Sequence, residues 1–136
     1  MKNFCITSGL LIVASLFAVA CMEPAAKQFT LAGQYKDGSN DRIFAVTFPA
    51  DATAEAMRSY GMHATNTSGR MTAVYFFAEG SQNPGAALNT ATSLEQATAV
   101  VTGGKSQVYV YQRATNGKEE FIKCASSPEH ELCQKS

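Results

Sequence analysis

The chain has 136 residues with 11 basic and 11 acidic side chains, so its formal charge is balanced. No basic run accompanies that balance, which argues against nucleic acid as a partner. The length beyond the leader suits one domain, large enough to bury roughly two-thirds of its unfolded surface.

At the N-terminus, Lys2 supplies a positive start, Phe4 to Ala20 is almost wholly apolar, and Ala18-Val19-Ala20 offers small residues for a cut. That is the pattern of a secretory signal peptide, and its apolar run is short for a membrane span. Cys21 follows directly. On the apolar leader, the small residues and this cysteine, residues 1–21 resemble a bacterial lipoprotein leader, and the resemblance extends no further. It implies that Cys21 becomes the mature N-terminus and carries the lipid, palmitate included, which anchors the chain to a membrane. Met22, where an aspartate is absent, implies the outer membrane facing the periplasm in a Gram-negative host. An ordinary cut after Ala20 would instead leave Cys21 as a free thiol. The chain thus divides into a signal peptide (1–20), an anchor cysteine with its tether (21–28) and a globular domain (29–136).

Within the domain, Phe29 to Tyr35 reads as a first strand and Asp37–Asp41 as a turn cluster. Arg42 to Phe48 reads as a second strand, with Phe44, Val46 and Phe48 on one face. Asp51 to Tyr60 predicts a short helix, capped by Asp51 or Thr53, with Met57 and Tyr60 inward and Gly61 as its left-handed stop. Met71 to Ala78 has no polar face, so it predicts a central strand covered on both sides. Gly80 to Ala87 reads as a loop. Ser93 to Val101 predicts a second helix, capped by Ser93 with Gln96 or Thr92 with Glu95, with Leu94, Ala97 and Val101 inward.

Gln107–Arg113 and Lys118–Cys124 flank Asn116-Gly117, the preferred pair for a two-residue type I′ turn. That turn would set Arg113 opposite Glu120, Tyr111 opposite Ile122 and Tyr109 opposite Cys124. The order ββαβαββ predicts an α+β fold: one small domain with an antiparallel or mixed sheet of about five strands and two short helices on one face.

Cys5 leaves with the signal peptide, so Cys21, Cys124 and Cys133 remain. If Cys21 is lipid-linked, the other two are free to pair, and an exported chain favours a Cys124–Cys133 disulfide. The competing reading is a redox or metal site with His130 as a further ligand, but the spacing matches neither CxxC nor a four-ligand zinc site, and no metal is expected. His63 lies near Ser59 and Tyr60, yet no nucleophile signature surrounds it. An enzyme would have to join it to Asp51 or Glu55. Glu119 and Glu120 should point to opposite faces, with Glu120 serving Arg113. Asp37, Asn40 and Asp41 lack the closing glutamate of a calcium loop.

Tyr109 and Tyr111 share one hairpin face. If the helices cover the other face, Val108, Val110 and Phe121 are core, the tyrosines are exposed beside Arg113, and Tyr109, Tyr111 and Arg113 are the candidate partner contact; the alternative, favoured because aromatic residues are routine sheet formers, puts the tyrosines in the core or in surface cross-strand pairs. The expectation is therefore a membrane-anchored, non-catalytic envelope lipoprotein without a cofactor, binding an envelope protein or cell-wall material. The alternative is a small envelope enzyme, or an enzyme inhibitor that inserts the loop Gly80–Ala87.

Overall fold

A computed structural model describes residues 28–64 and 66–134. The signal segment, Cys21 and the tether up to Lys27 lie outside the described residues. Strands β1 (Thr30–Lys36), β2 (Arg42–Phe48), β3 (Thr72–Ala78), β4 (Gln107–Arg113) and β5 (Glu119–Lys123) form one mixed sheet in the order β1-β2-β3-β4-β5. Helices α1 (Ala54–His63), α2 (Gly85–Leu88) and α3 (Leu94–Gly103) complete a small α+β domain.

Only β2 and β3 pair in parallel; the other neighbours are antiparallel. A parallel pair needs a crossover, and α1 supplies it. In β3, Thr72 to Phe77 are all buried. Tyr75 and Phe77 pack with Ile43, Leu88, Ala97 and Val101 on one face, while Val74 and Phe76 pack with Val46, Met57 and Tyr111 on the other. Thus α1 covers one face and α2 with α3 the opposite one, which corrects the expectation of both helices on one face. The physical reason is β3 itself: a strand without a polar side needs a layer on each side.

The helix caps follow local chemistry. Thr53 Oγ1 accepts from the N–H of Ala56 at 3.1 Å, and Ser93 Oγ accepts from the N–H of Gln96 at 3.1 Å. Gln96 reciprocates by accepting from the N–H of Thr92 at 2.8 Å. Gly61 does not stop α1; the helix runs through it to His63. A Cβ at position 61 would collide with Cβ, Cγ and Cδ1 of Tyr111. The glycine therefore serves close approach of helix to sheet, and its backbone stays helical.

Part of the expected loop Gly80–Ala87 is also helical, since α2 begins at Gly85. Gly33 and Gly85 bring α2 onto the edge strand β1, where a Cβ on either would strike backbone. Asn89 Oδ1 accepts from the N–H of Gln34 at 2.9 Å and so occupies a β1 edge donor. An edge closed in this way cannot recruit another strand there.

The last hairpin has a different register from the expected one. Arg113 pairs with Glu119, Tyr111 with Phe121 and Tyr109 with Lys123. The N–H of Ala114 donates to the Lys118 carbonyl at 2.8 Å, and the N–H of Gly117 donates to the Ala114 carbonyl at 2.9 Å. Gly117 has φ +84°, whereas Asn116 does not have a positive φ. Type I′ needs positive φ at both central residues, so the connection is a three-residue loop closed by a left-handed glycine. The extra loop residue slides every partner by one.

Candidate functional site

Candidate contact residues lie on the α1 face of the β4–β5 hairpin. Residue alternation puts Tyr109, Tyr111 and Arg113 of β4 on this face, and the observed register adds Glu119 and Phe121 from β5. Contacts of α1 to the sheet fall chiefly on β4 and β3. The outer strand β5 and the adjoining part of β4 therefore keep a partly open aromatic surface.

Tyr111 is 2% exposed beneath Gly61. Tyr111 thus lies in the core, which rules out the reading with both tyrosines exposed, because α1 covers the face that the pair would present. Tyr109 remains half-buried and stacks on Phe121, with ring centroids 5.2 Å apart and planes 5° from parallel. Phe121 stands opposite Tyr111 on this face because the register is one residue away from that of a two-residue turn. The open aromatic pair is thus Tyr109 with Phe121.

Beside the stack, Glu119 Oε1 gathers several donors. Tyr111 Oη donates to it at 2.8 Å and Arg113 Nε at 3.0 Å, with Arg113 Nη2 also in contact. Arg113 Nη1 donates to Asn66 Oδ1 at 2.9 Å, which ties the hairpin to the loop after α1. The Arg113 hydrogen bond, and then that of Tyr111, hold the Glu119 carboxyl below its ordinary range. Tyr111 is pushed up, first by burial and then by its bond to Glu119. Residues 66–70 and 113–117 bound a shallow cleft of about 490 Å³ next to this cluster. Glu119 and Glu120 point to opposite faces as expected, but their roles are exchanged: Glu120 pairs with Gln112 on the face away from Arg113, and its partner is Lys118, whose Nζ stands 2.7 Å away.

His63 closes α1 with Nδ1 2.7 Å from the Ser59 carbonyl oxygen, not from the Ser59 hydroxyl. Glu55 stands eight residues earlier on α1, about 12 Å along the axis by helical rise, so His63 and Glu55 do not share a site. Asp37 Oδ1 accepts from the N–H of Ser39 and Asp41, and Asp41 Oδ1 accepts from that of Met71. These carboxylates brace backbone turns.

Cys124 and Cys133 form a disulfide with Cα atoms 5.4 Å apart. It holds the tail so that Leu132 and Cys133 join the core on the α3 side. Among the described residues, no group of three or more His, Cys, Asp or Glu side chains is placed to hold a metal, and no helix is long and apolar enough to cross a membrane.

The chain enters the domain at Phe29, whose ring packs against Tyr60 at 5.0 Å and Phe76 at 6.1 Å. The entry point and the hairpin surface therefore share the α1 side of the sheet. Comparison with protein-family models, curated proteins and solved structures found no match.

Proposed function

We propose that the protein is an envelope lipoprotein, anchored through Cys21, whose domain acts as a non-catalytic binding module for an envelope protein or cell-wall material. The observation that carries this reading is the half-buried Tyr109–Phe121 stack beside the Arg113–Glu119 pair. Rigid aromatics with an adjacent arginine are favoured anchors for partners. Arg113 is braced by Glu119 and Asn66, so it loses little freedom on binding.

The anchor supports the same reading. Residues 21–28 span at most about 28 Å when extended, and they lead to Phe29 on the α1 side. A Cys21-linked lipid would thereby hold the domain's entry point within about that distance of the membrane. Capture from the membrane fraction after cross-linking in intact cells tests both parts. One dominant envelope partner is expected. Tyr109→Ala with Phe121→Ala should weaken its capture at least tenfold, and Cys21→Ala should reduce it by releasing the chain from the membrane. Undiminished capture by the hairpin variant would remove the surface from the account.

A further inference from the structure

A cleft of about 570 Å³ lies away from the hairpin surface, where β4 outruns β5. Pairing between these strands ends at Tyr109 and Lys123, after which the chain leaves the sheet in a 3₁₀ turn at Cys124–Ser126. Residues 105–108 thus form one wall, backed by β3 at Gln107 but with no strand on their β5 side, and the tail around Cys124, Glu129 and Cys133 forms the other. Its volume falls in the range of ordinary ligand sites.

Three further features converge on this wall. Lys105 has φ +50°, a conformation uncommon outside glycine, as the chain turns from α3 into β4. The register of β4 on β3 slips at Val108, because Phe76 faces Tyr109 while Phe77 faces Gln107. Such bulges often re-aim side chains next to sites. Most telling is Gln107, which lines the cleft yet is only 5% exposed. Its Nε2 donates to the Cys133 carbonyl at 3.1 Å, which fixes the amide's orientation. Its Oε1 is buried and has no hydrogen-bond partner among the described residues. Buried side-chain acceptors nearly always have a partner, so this one is set to receive an N–H or O–H.

We propose that this cleft binds a short extended peptide segment from another protein, laid beside residues 105–108 as a continuation of β5, with a backbone N–H donating to Gln107 Oε1. A strand edge with no neighbour on one side recognises extended backbone in this way. The Cys124–Cys133 disulfide holds the opposing wall in place before binding, which lowers the ordering cost. This site is independent of the hairpin surface, so either can fail without the other.

The test uses the full mature chain, disulfide intact and carrying Cys21→Ser, against a bead library of randomised hexapeptides with blocked ends. Retained peptides should shift the backbone amide resonances of Ser106, Gln107, Val108 and Cys133 in NMR titration. Gln107→Met should weaken binding about tenfold, the scale of one lost neutral hydrogen bond, and N-methylation of the peptide backbone should do the same without altering the protein. Lys105→Glu, at an exposed position on the rim, should deplete acidic residues from the retained peptides. Equal retention by Gln107→Met, resonance shifts confined to other surfaces, indifference to N-methylation, or saturable binding of chitotetraose in place of peptides would each overturn the proposal. An ordered water on Gln107 with no retained peptide would do so too.

Discussion

Replacing Gly61 with alanine should destabilise the domain, against the usual effect of that change in a helix. Position 61 lies inside α1, where alanine normally gains about 1 kcal/mol over glycine. The added Cβ would stand 2.7 Å from Cβ and Cδ1 of Tyr111 and nearer still to Cγ. These atoms belong to the near end of the side chain, set by the β4 backbone, so they cannot swing aside. Overpacking a core typically costs 1–3 kcal/mol. The upper part of that range applies here, leaving a net loss of about 1–2 kcal/mol. For a domain of this size that is roughly 5–15 °C in Tm. Thermal unfolding of the mature chain measures it. The comparison is Gly103→Ala at the end of α3, where nothing lies within 4 Å of the new Cβ; that variant should gain up to about 1 kcal/mol. A Gly61→Ala protein as stable as the parent would refute the close-contact argument. It would also undercut the placement of Tyr111 beneath the helix.

Further outcomes follow from the same contacts. Replacing both Cys124 and Cys133 with serine should cost about 2–3 kcal/mol from loop closure, read as a lower urea midpoint, with the fold otherwise retained. Burial, reinforced by Glu131, pushes Tyr75 up to about 12. Folding therefore favours its neutral form, so this stability is intact below pH 10 and lost as pH rises towards 12. The loss amounts to about 2–3 kcal/mol. Urea midpoints at pH 9 and 11.5 should fall less far apart in Tyr75→Phe than in the parent. In the terminal loop, Gly117→Ala should cost about 1–2 kcal/mol for a left-handed alanine, whereas Asn116→Ala should cost well under 1 kcal/mol; equal losses in thermal unfolding would restore the two-residue turn.

Much of the fold was legible because it rests on local signals. The strands alternate or run apolar, Thr53 and Ser93 cap their helices, and β3 announces a layer on each side. What escaped depends on packing. No local feature states which face a helix takes once a strand has intervened, so the order ββαβαββ alone puts α1 and α3 on one face although β3 demands two layers. Gly61 has the look of a helix stop, and only its contact with Tyr111 shows otherwise. Asn116-Gly117 suits two loop lengths, and one residue of difference exchanged Glu120 for Glu119 as the partner of Arg113. The same shift places Phe121 beside Tyr109, on the surface that only the three-residue loop gives it. α2 is too short to show a period, and the orphaned Gln107 oxygen is invisible without tertiary structure.

The central claim is that the α1 side of the terminal hairpin is where the anchored domain meets its envelope partner. Site-specific photo-cross-linking in intact cells tests it most directly, with the probe at Tyr109 in one strain and at Glu95, on the opposite layer, in another. The account predicts a discrete cross-linked species from position 109 that is absent from position 95. Equal cross-linking from both positions, or a species from position 95 alone, would contradict it.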